Sequence, residues 1–245
     1  MRIPVIRGVI DRRILVNYRV KPDVLVRLIP KPFRLKLVNG MGMAGVCLIR
    51  LKHIRPKFLP AFVGISSENA AHRIAVEWDD NGETKEGVFV PRRDTSSRMN
   101  TLLGGRLFPG MQKHAAFKVE EHDDHYRIEL TSDDQQNHLL VEGHLADELA
   151  KTSVFRSISE ASQFFERGSL GYSVTNQQGQ FDALELHSFN WRVRPLDVKN
   201  VTSSFFDNRE LFPAGSVEFD SALLMEGIEH EWHGGDRLCS GSPCG

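Results

Sequence analysis

Most of the chain alternates short apolar runs with polar turns. The segments RRILVNYRV, FRLKLV, GVCLIRL, RIAVEW and GVFVP are rich in Val, Ile, Leu and aromatic residues, and Gly, Pro or charged residues separate them. AAFKVEE, HYRIELT and HLLVEGHL continue the same pattern. Two longer runs, LELHSFNWRVRPLDV and SVEFDSALLMEGIEHEW, each predict one long strand. Such runs are typical of β-strands, so the pattern predicts a chain dominated by strands.

Three short segments instead have the periodicity and end signals of helices. Pro22 suits the first turn of a short helix that Pro30 ends. Ser157 and Glu160 have the spacing of a capping box before SISEASQFFERG, and Gly168 ends this helix.

The third helix is predicted between the other two, in RRDTSSRMNTLLGG. Asp94 is a suitable N-cap, and Gly104 with Gly105 supplies a left-handed stop about three turns later. Strands that greatly outnumber helices, without repeats or long linkers, predict a β-dominated α+β barrel or half-barrel. We expect a single domain over residues 1–233 and a flexible tail over residues 234–245.

The charge balance excludes one class of partner. The 245 residues carry 31 Lys and Arg against 32 Asp and Glu, which gives a net charge of −1 and a pI near 6.8. A nucleic-acid-binding surface is normally basic, so we expect no nucleic-acid partner. The N-terminus MRIPVIRGVIDRR lacks the apolar run of a signal peptide, and no later stretch is long enough to span a bilayer. The sequence therefore predicts a cytoplasmic protein with no membrane partner.

Two patterns that suggest cofactor or metal sites have a structural explanation. Gly40, Gly42 and Gly45 match G-x-G-x-x-G, but the next residues, GVCLIRL, continue as a strand, whereas a dinucleotide site requires a helix there. We interpret them as a glycine-rich hairpin with a close backbone approach. HDDH and HEWH have H-x-x-H spacing, which on one strand directs the two rings to opposite faces. We therefore expect no metal and no organic cofactor, and EEHDDH is interpreted as a hairpin tip.

Lys113 is the strongest candidate for chemistry. It follows GGRLFPGMQ, and Ala and Phe residues follow its neighbour His114, so the lysine stem is expected among apolar side chains. Desolvation favours the uncharged and nucleophilic form of an amine. His114 would add a neighbouring positive charge only while it is protonated.

A carboxylate and several arginines add to this candidate site. Glu68 precedes Asn-Ala-Ala; if buried it suits proton transfer, and otherwise it belongs to a surface turn. Arg12, Arg13 and Arg19 lie in the first predicted strand, and Arg92 and Arg93 lie near another strand end. One of these guanidinium groups could bind the carboxylate of a small acid, or they could pair with surface acids.

The chain resembles the acetoacetate decarboxylase superfamily, and most closely its uncharacterised bacterial members. RRILVNYRV, SENAAHRIAVEW, PRRDTSS and LLGGRLFPG carry the resemblance, from about residue 11 to residue 120. It implies an antiparallel β cone or barrel with a few packed helices around a small pocket. It also implies that Lys113 is the Schiff-base lysine, Glu68 the active-site glutamate, and Arg12, with Arg13 as competitor, the arginine for the substrate carboxylate. Arg106 belongs to the Gly-Arg pair of the family and would also contact substrate.

One departure from the family leaves two functions open. His114 stands where the decarboxylases have a second lysine that activates the first. The first hypothesis is a Schiff-base lyase of decarboxylase or aldolase/dehydratase type that acts on a small keto acid, with His114 as a third catalytic residue. The alternative is a non-catalytic protein that binds an acidic or apolar small molecule on the same fold. The oligomeric state is left open.

Overall fold

The strands form most of the chain. The structure is a computed structural model that describes residues 4–80, 82–102 and 110–240. Its strands and helices are as follows. The strands are β1 Ile6–Val20, β2 Arg34–Leu35, β3 Leu37–Val38, β4 Met41–Pro56, β5 Ile65–Asp80, β6 Glu83–Thr95, β7 Gln112–His122, β8 His125–Ser132, β9 His138–Leu145, β10 Leu170–Val174, β11 Gln180–Ser188, β12 Arg194–Ser203, β13 Val217–Gly234 and β14 Leu238–Cys239. The α-helices are α1 Pro22–Leu25, α2 Arg98–Leu102 and α3 Ile158–Arg167, with 3₁₀ turns at Val26–Leu28 and Ala61–Val63.

These strands form one sheet, in the order β14-β11-β10-β6-β7-β8-β9-β12-β13-β1-β4-β5-β2, with β3 added to β4. Most neighbours are antiparallel, but β6 pairs in parallel with both β7 and β10. Two further pairings, β5 with β6 and β11 with β13, bring distant parts of the sheet together. The sheet curves round into a ring but does not form a true barrel. The predicted β-dominated α+β class is therefore confirmed, and the predicted barrel is corrected to a ring of strands that is not a true barrel.

The strands β13, β1, β4, β5 and β6 form a wall with an apolar core on each face. On β1, the side chains of Ile14 and Val16 belong to the first core, and that of Leu15 belongs to the second. The alternation follows from the pleat, which directs successive side chains to opposite faces. Strands buried on both faces have almost continuous apolar sequences, which explains runs such as GVCLIRL in β4.

The helix α3 begins and ends where the sequence predicts. The hydroxyl oxygen of Ser157 accepts a hydrogen bond from the Glu160 amide at 3.1 Å, and Gly168 is the C-cap residue. Ala161 and Phe165 are buried in the second core, so α3 covers one part of the wall. The short helix α1 also begins at Pro22, as predicted.

The second predicted helix begins later than expected, and its predicted N-cap is wrong. Asp94 belongs to β6 and is 1% exposed, and its carboxylate accepts hydrogen bonds from Arg92 and Asn137. A buried ion pair thus uses the carboxylate that the sequence pattern assigned to a helix end. The helix α2 begins at Arg98. The predicted stop at residues 104–105 lies outside the described residues.

Two predictions near the C-terminus also differ from the structure. The run LELHSFNWRVRPLDV forms two strands, β11 and β12, because residues 189–193 leave the sheet between them. In the segment predicted as a tail, β14 pairs with Gln180 and Phe181 of β11. Residues 241–245 lie outside the described part of the chain.

The tight turns agree with the sequence interpretation. Asn39 and Gly40 have positive φ values of 49° and 79° and connect β3 to β4, which confirms the glycine-rich hairpin. Asp123 and Asp124 form the predicted hairpin tip between β7 and β8. The expectation that the HDDH rings point apart is wrong, because the turn pairs His122 with His125 at 5.0 Å between ring centroids. No helix in the described ranges is long and apolar enough to cross a membrane.

Candidate functional site

Glu68 lies in an ion-pair network at the end of the first core. The register places it beside Arg50, and Arg50 beside Arg12, on the neighbouring strands β5, β4 and β1. Its carboxylate accepts hydrogen bonds from Arg12 Nη2 and from Arg50 Nε, each at 2.5 Å. Glu121 of β7 completes the network, since it is hydrogen bonded to both arginines.

This network satisfies charges that the fold has removed from water. Arg12 is only 2% exposed, and an unpaired guanidinium at that depth would be strongly destabilising. Burial acts to raise the pKa of Glu121, but the hydrogen bonds and charges of Arg12 and Arg50 outweigh it and lower that pKa. Glu68 and Arg12 therefore have a structural role, and any catalytic role of these residues would come in addition to it.

Lys113 lies on the same face as Glu68 but at the edge of the wall. It neighbours Asp94 in the parallel pairing of β7 with β6. Its side chain is 48% exposed, and Nζ lies 3.7 Å from a carboxylate oxygen of Asp134. It lines an open cleft of about 510 Å³. The apolar burial expected from the sequence is therefore not found, and no described contact joins Lys113 to Glu68; its role as an imine lysine stays a prediction.

The other predicted site residues do not join Lys113. His114 points to the opposite face, where its Nδ1 lies 2.9 Å from a carboxylate oxygen of Asp133. Arg13 also faces the second core, and its Nε donates to Cys47 Sγ at 3.2 Å. Arg106 lies outside the described residues.

The second face of the wall has a group of polar residues, of which only Arg13 and Arg93 were among the arginines that the sequence suggested for an acidic ligand. Arg73 of β5 and Arg93 of β6 lie on this face with Arg13, and Asn69 and Gln112 lie near its edge. Asn69 directly follows Glu68, and Gln112 directly precedes Lys113. The sequence therefore did not single out Asn69 and Gln112, although each is the strand neighbour of a residue that it did single out.

A small pocket lies between these residues and the strands that cover the second core. Its volume is about 50 Å³. Arg93, Asn69 and Gln112 supply polar groups, and the apolar lining includes Ile49, Leu51, Ala71, Leu184 and Trp232. Asp94 also lines it, but Arg92 and Asn137 already bind that carboxylate. A few polar groups in a mostly apolar hollow are typical of small-molecule sites.

Electrostatics makes this pocket suitable for an anion. Arg93 donates from Nε to the Ser173 hydroxyl at 2.9 Å, and no carboxylate in the described part of the chain pairs with it. Burial lowers the pKa of Arg93 to about 10, which still leaves it charged at neutral pH. A guanidinium without a counter-ion at the wall of an apolar pocket favours a carboxylate ligand.

A buried histidine lies next to the pocket. His230 has no exposed surface, and its ring centroid lies 4.4 Å from that of Trp232. Burial lowers the pKa of His230 to about 4, although the Ile228 backbone acts to raise it, and no side chain of the described residues is hydrogen bonded to its ring. Within the described ranges, no group of three or more His, Cys, Asp or Glu side chains could hold a metal ion.

Comparison with known proteins identifies the family. The sequence model of DUF2071, a family of uncharacterized conserved proteins, matches residues 10–227. The chain belongs to the DUF2071 family. A search among curated proteins finds no match for this DUF2071 chain.

Solved structures show which fold the DUF2071 chain shares. Acetoacetate decarboxylase from Legionella pneumophila is similar with a TM-score of 0.62 at 12% identity, over 95% of this chain and 86% of that one. An acetoacetate decarboxylase-like enzyme from Sphingomonas wittichii RW1 has a TM-score of 0.58 at 14% identity, over 96% and 92% of the two chains. The enduracididine biosynthesis enzyme MppR, complexed with pyruvate, has a TM-score of 0.59 at 9% identity, over 97% and 91%. These similarities establish an acetoacetate decarboxylase-like fold.

Proposed function

We propose that this chain binds a small organic acid in the pocket beside Arg93, with the carboxylate on the guanidinium and the carbon body against Leu184 and Trp232. The observation that carries the proposal is the absence of a described carboxylate partner for Arg93 at the wall of an apolar hollow. The volume of about 50 Å³ accommodates about four water-sized groups, which fits an acid of two or three carbons. Asn69 and Gln112 add neutral hydrogen-bonding groups for a carbonyl or hydroxyl oxygen.

The structural relatives support a ligand of this class. One of them, MppR, was solved as a complex with pyruvate, and others are acetoacetate decarboxylases or enzymes like them. Fold similarity does not transfer a reaction, so the proposal depends on the side chains of this chain. The described lining of the pocket includes the amide of Gln112 but no lysine amine. Imine formation needs an amine at the pocket wall, so this lining favours binding over imine chemistry.

The binding proposal predicts that Arg93 determines affinity for the carboxylate. Replacing Arg93 by Met should weaken binding of pyruvate at least about tenfold, because a charge-assisted hydrogen bond contributes about 1.5–3 kcal/mol. Isothermal titration calorimetry measures the affinity, with acetone as a ligand that lacks the carboxylate. The exposed Arg192, changed to Met, is the matched control and should bind normally. Equal affinity of wild type and Arg93→Met, or equal binding of acetone, would contradict the proposal.

A lysine imine is the second candidate function, and the structural relatives are the observation that favours it. The uncharged amine of Lys113 would add to the ketone of a keto acid and lose water to give an iminium ion. The electrons of the breaking C–C bond would move into the iminium as CO₂ leaves, and protonation and hydrolysis would then release product. An arginine would hold the carboxylate, and Glu68 would transfer protons only if it gave up a contact with Arg12 or Arg50.

Reductive trapping tests this second function. If the imine forms, sodium borohydride with acetoacetate or pyruvate should add the mass of the reduced adduct, and Lys113→Ala should abolish it. Lys118 lies on the same strand with a side chain that is 84% exposed, so Lys118→Ala is the matched control. If protonated His114 assists, trapping should be strongest at acidic pH, and His114→Ala should remove that preference. Binding of the acid without any adduct would support binding alone, and an adduct that survives in Lys113→Ala would exclude Lys113.

A further inference from the structure

Two arginines converge on a second and separate cavity on the same face of the wall. Arg13 of β1 and Arg73 of β5 line a hollow of about 30 Å³ that Phe164 and Phe165 of α3 cover. The lining residues of this hollow differ from those of the pocket beside Arg93. The two cavities therefore require separate explanations.

Both guanidinium groups have buried nitrogen atoms that form no hydrogen bond with any of the described residues. Arg73 is 5% exposed; its Nη2 donates to Asn17 Oδ1 and its Cζ lies 4.6 Å from the centroid of the Phe165 ring, but its Nε has no acceptor. Arg13 donates from Nε to Cys47 Sγ, and its Cζ lies 5.7 Å from the Trp191 ring centroid, but its buried Nη1 also has no acceptor. Buried N–H groups are almost always satisfied, so these two indicate a missing acceptor.

The charges around the hollow lead to the same conclusion. Neither Arg13 nor Arg73 forms an ion pair with a carboxylate of the described residues. The third cation of the lining, Lys36, is already paired with Glu86 at 2.5 Å. Burial lowers the pKa of Arg73 to about 10, and the nearby charge of Arg13 contributes to this shift. Arg73 is buried and Arg13 is half-buried, and two such neighbouring positive charges repel each other, so an anion between them would be stabilising.

We propose that this hollow holds one small monovalent anion of the size of chloride, which accepts hydrogen bonds from Arg13 Nη1 and Arg73 Nε. The volume of about 30 Å³ has room for about two water-sized groups, so it suits chloride better than phosphate, sulfate or an organic acid. The anion links β1 and β5 beneath α3 and neutralises part of the charge of the arginine pair. The site is independent of the small-acid pocket and does not rest on the proposed function.

Chloride dependence of stability tests the proposal. The full chain is moved into sodium gluconate, and chloride replaces gluconate at constant ionic strength while the melting temperature is measured. A bound anion should raise Tm in a saturable way, by roughly 5 °C or more once chloride exceeds its Kd about 100-fold. Bromide should act similarly, whereas sulfate should have no saturable effect. A Tm that does not respond to chloride would overturn the proposal.

Three variants locate the response. Arg73→Met has a similar volume without the charge, so it should fold and lose the chloride dependence. The exposed Arg209, changed to Met, is the matched surface control and should keep it. Arg93→Met should also keep it while losing affinity for the small acid, so the two proposals can fail separately.

Bromide in a crystal of the wild-type protein provides a measurement that needs no variant. Anomalous scattering should give a peak between the guanidinium groups of Arg13 and Arg73. An empty hollow in a crystal that contains bromide elsewhere would overturn the proposal. The proposal would also be overturned if a Cys47 thiolate supplied the neutralising charge. In that case the protein would show ultraviolet thiolate absorbance, and Cys47→Ser would remove this absorbance and lower Tm by several degrees.

Discussion

At the scale of single residues, two histidines make the fold sensitive to acid. His72 lies in the first core and His230 in the second, and no side chain of the described residues is hydrogen bonded to either ring. Burial lowers the pKa of His72 to about 3, with a contribution from the charge of Arg92, and that of His230 to about 4. Protonation of either ring requires a charge in an apolar core, which the folded state resists.

This depression of the pKa predicts that stability falls between pH 6.5 and pH 4. In that window an unfolded histidine binds a proton while folded His230 does not, so unfolding takes up a proton and becomes more favourable as the pH falls. The contribution of His230 is complete above pH 6.5 and is lost as the pH falls toward 4, by about 3 kcal/mol in all. His230→Leu should therefore have a shallower acid dependence, measured as the free energy of unfolding in urea at several pH values.

The exposed His138 provides the control for this measurement. His138→Leu should keep the wild-type slope, because a solvated imidazole has no comparable burial. His72 remains in the His230→Leu variant, so the slope should decrease without vanishing. An unchanged slope in His230→Leu would show that its ring is already protonated or hydrogen bonded in the folded protein.

Residue chemistry could be predicted from the sequence, but the face of each residue could not. The sequence indicated Lys113 and Glu68, whereas the enclosed pocket has their neighbours Gln112 and Asn69. In a strand that is buried on one face, alternating hydropathy would reveal which residues point inward. Here the wall is buried on both faces, so the apolar pattern of β4 and β5 carries no such information.

At the scale of elements, the accuracy of prediction depended on how local the signal is. The capping box of α3 and the turn at Asn39 and Gly40 involve residues that are close in sequence, and both are confirmed. Asp94 has the same local signal as a cap, but Arg92, Asn137 and the β5 strand use it in a buried arrangement. The break between β11 and β12 also depends on tertiary contacts, because each strand pairs with a different part of β13.

The position of α3 connects its local signals to the arginine pair. Phe165 of this helix packs against the Arg73 guanidinium, and Phe164 and Phe165 both line the small cavity. The sequence could predict the helix and its apolar face. It could not predict that this face covers charged side chains, because the register of β1, β4 and β5 determines which arginines lie beneath it.

At the scale of the whole molecule, the wall is a common support for both cores. The pairing of β5 with β6 closes a circuit through β7, β8, β9, β12, β13, β1 and β4, and the pairing of β11 with β13 closes another through β10 and β6. The ion-pair network lies on one face of the wall, and both small cavities lie on the other. Displacement of one central strand should therefore affect both faces at once.

Gly45, at the centre of the wall, provides the test of this coupling. A Cβ at this position would lie 2.1 Å from the carbonyl oxygen of Val16, and β1 cannot move away because β13 pairs with its other edge. Gly45→Ala should cost about 3 kcal/mol of unfolding free energy or more, as measured in urea. Gly171→Ala, in β10, is the control: its Cβ would meet Val88 at an ordinary 3.5 Å, and its stability should stay within about 1 kcal/mol of wild type. In Gly45→Ala, the affinity for the acid at Arg93 and the response to chloride at Arg73 should weaken together. Normal stability of Gly45→Ala would show that β1 and β4 are not held at the close distance between Gly45 and Val16.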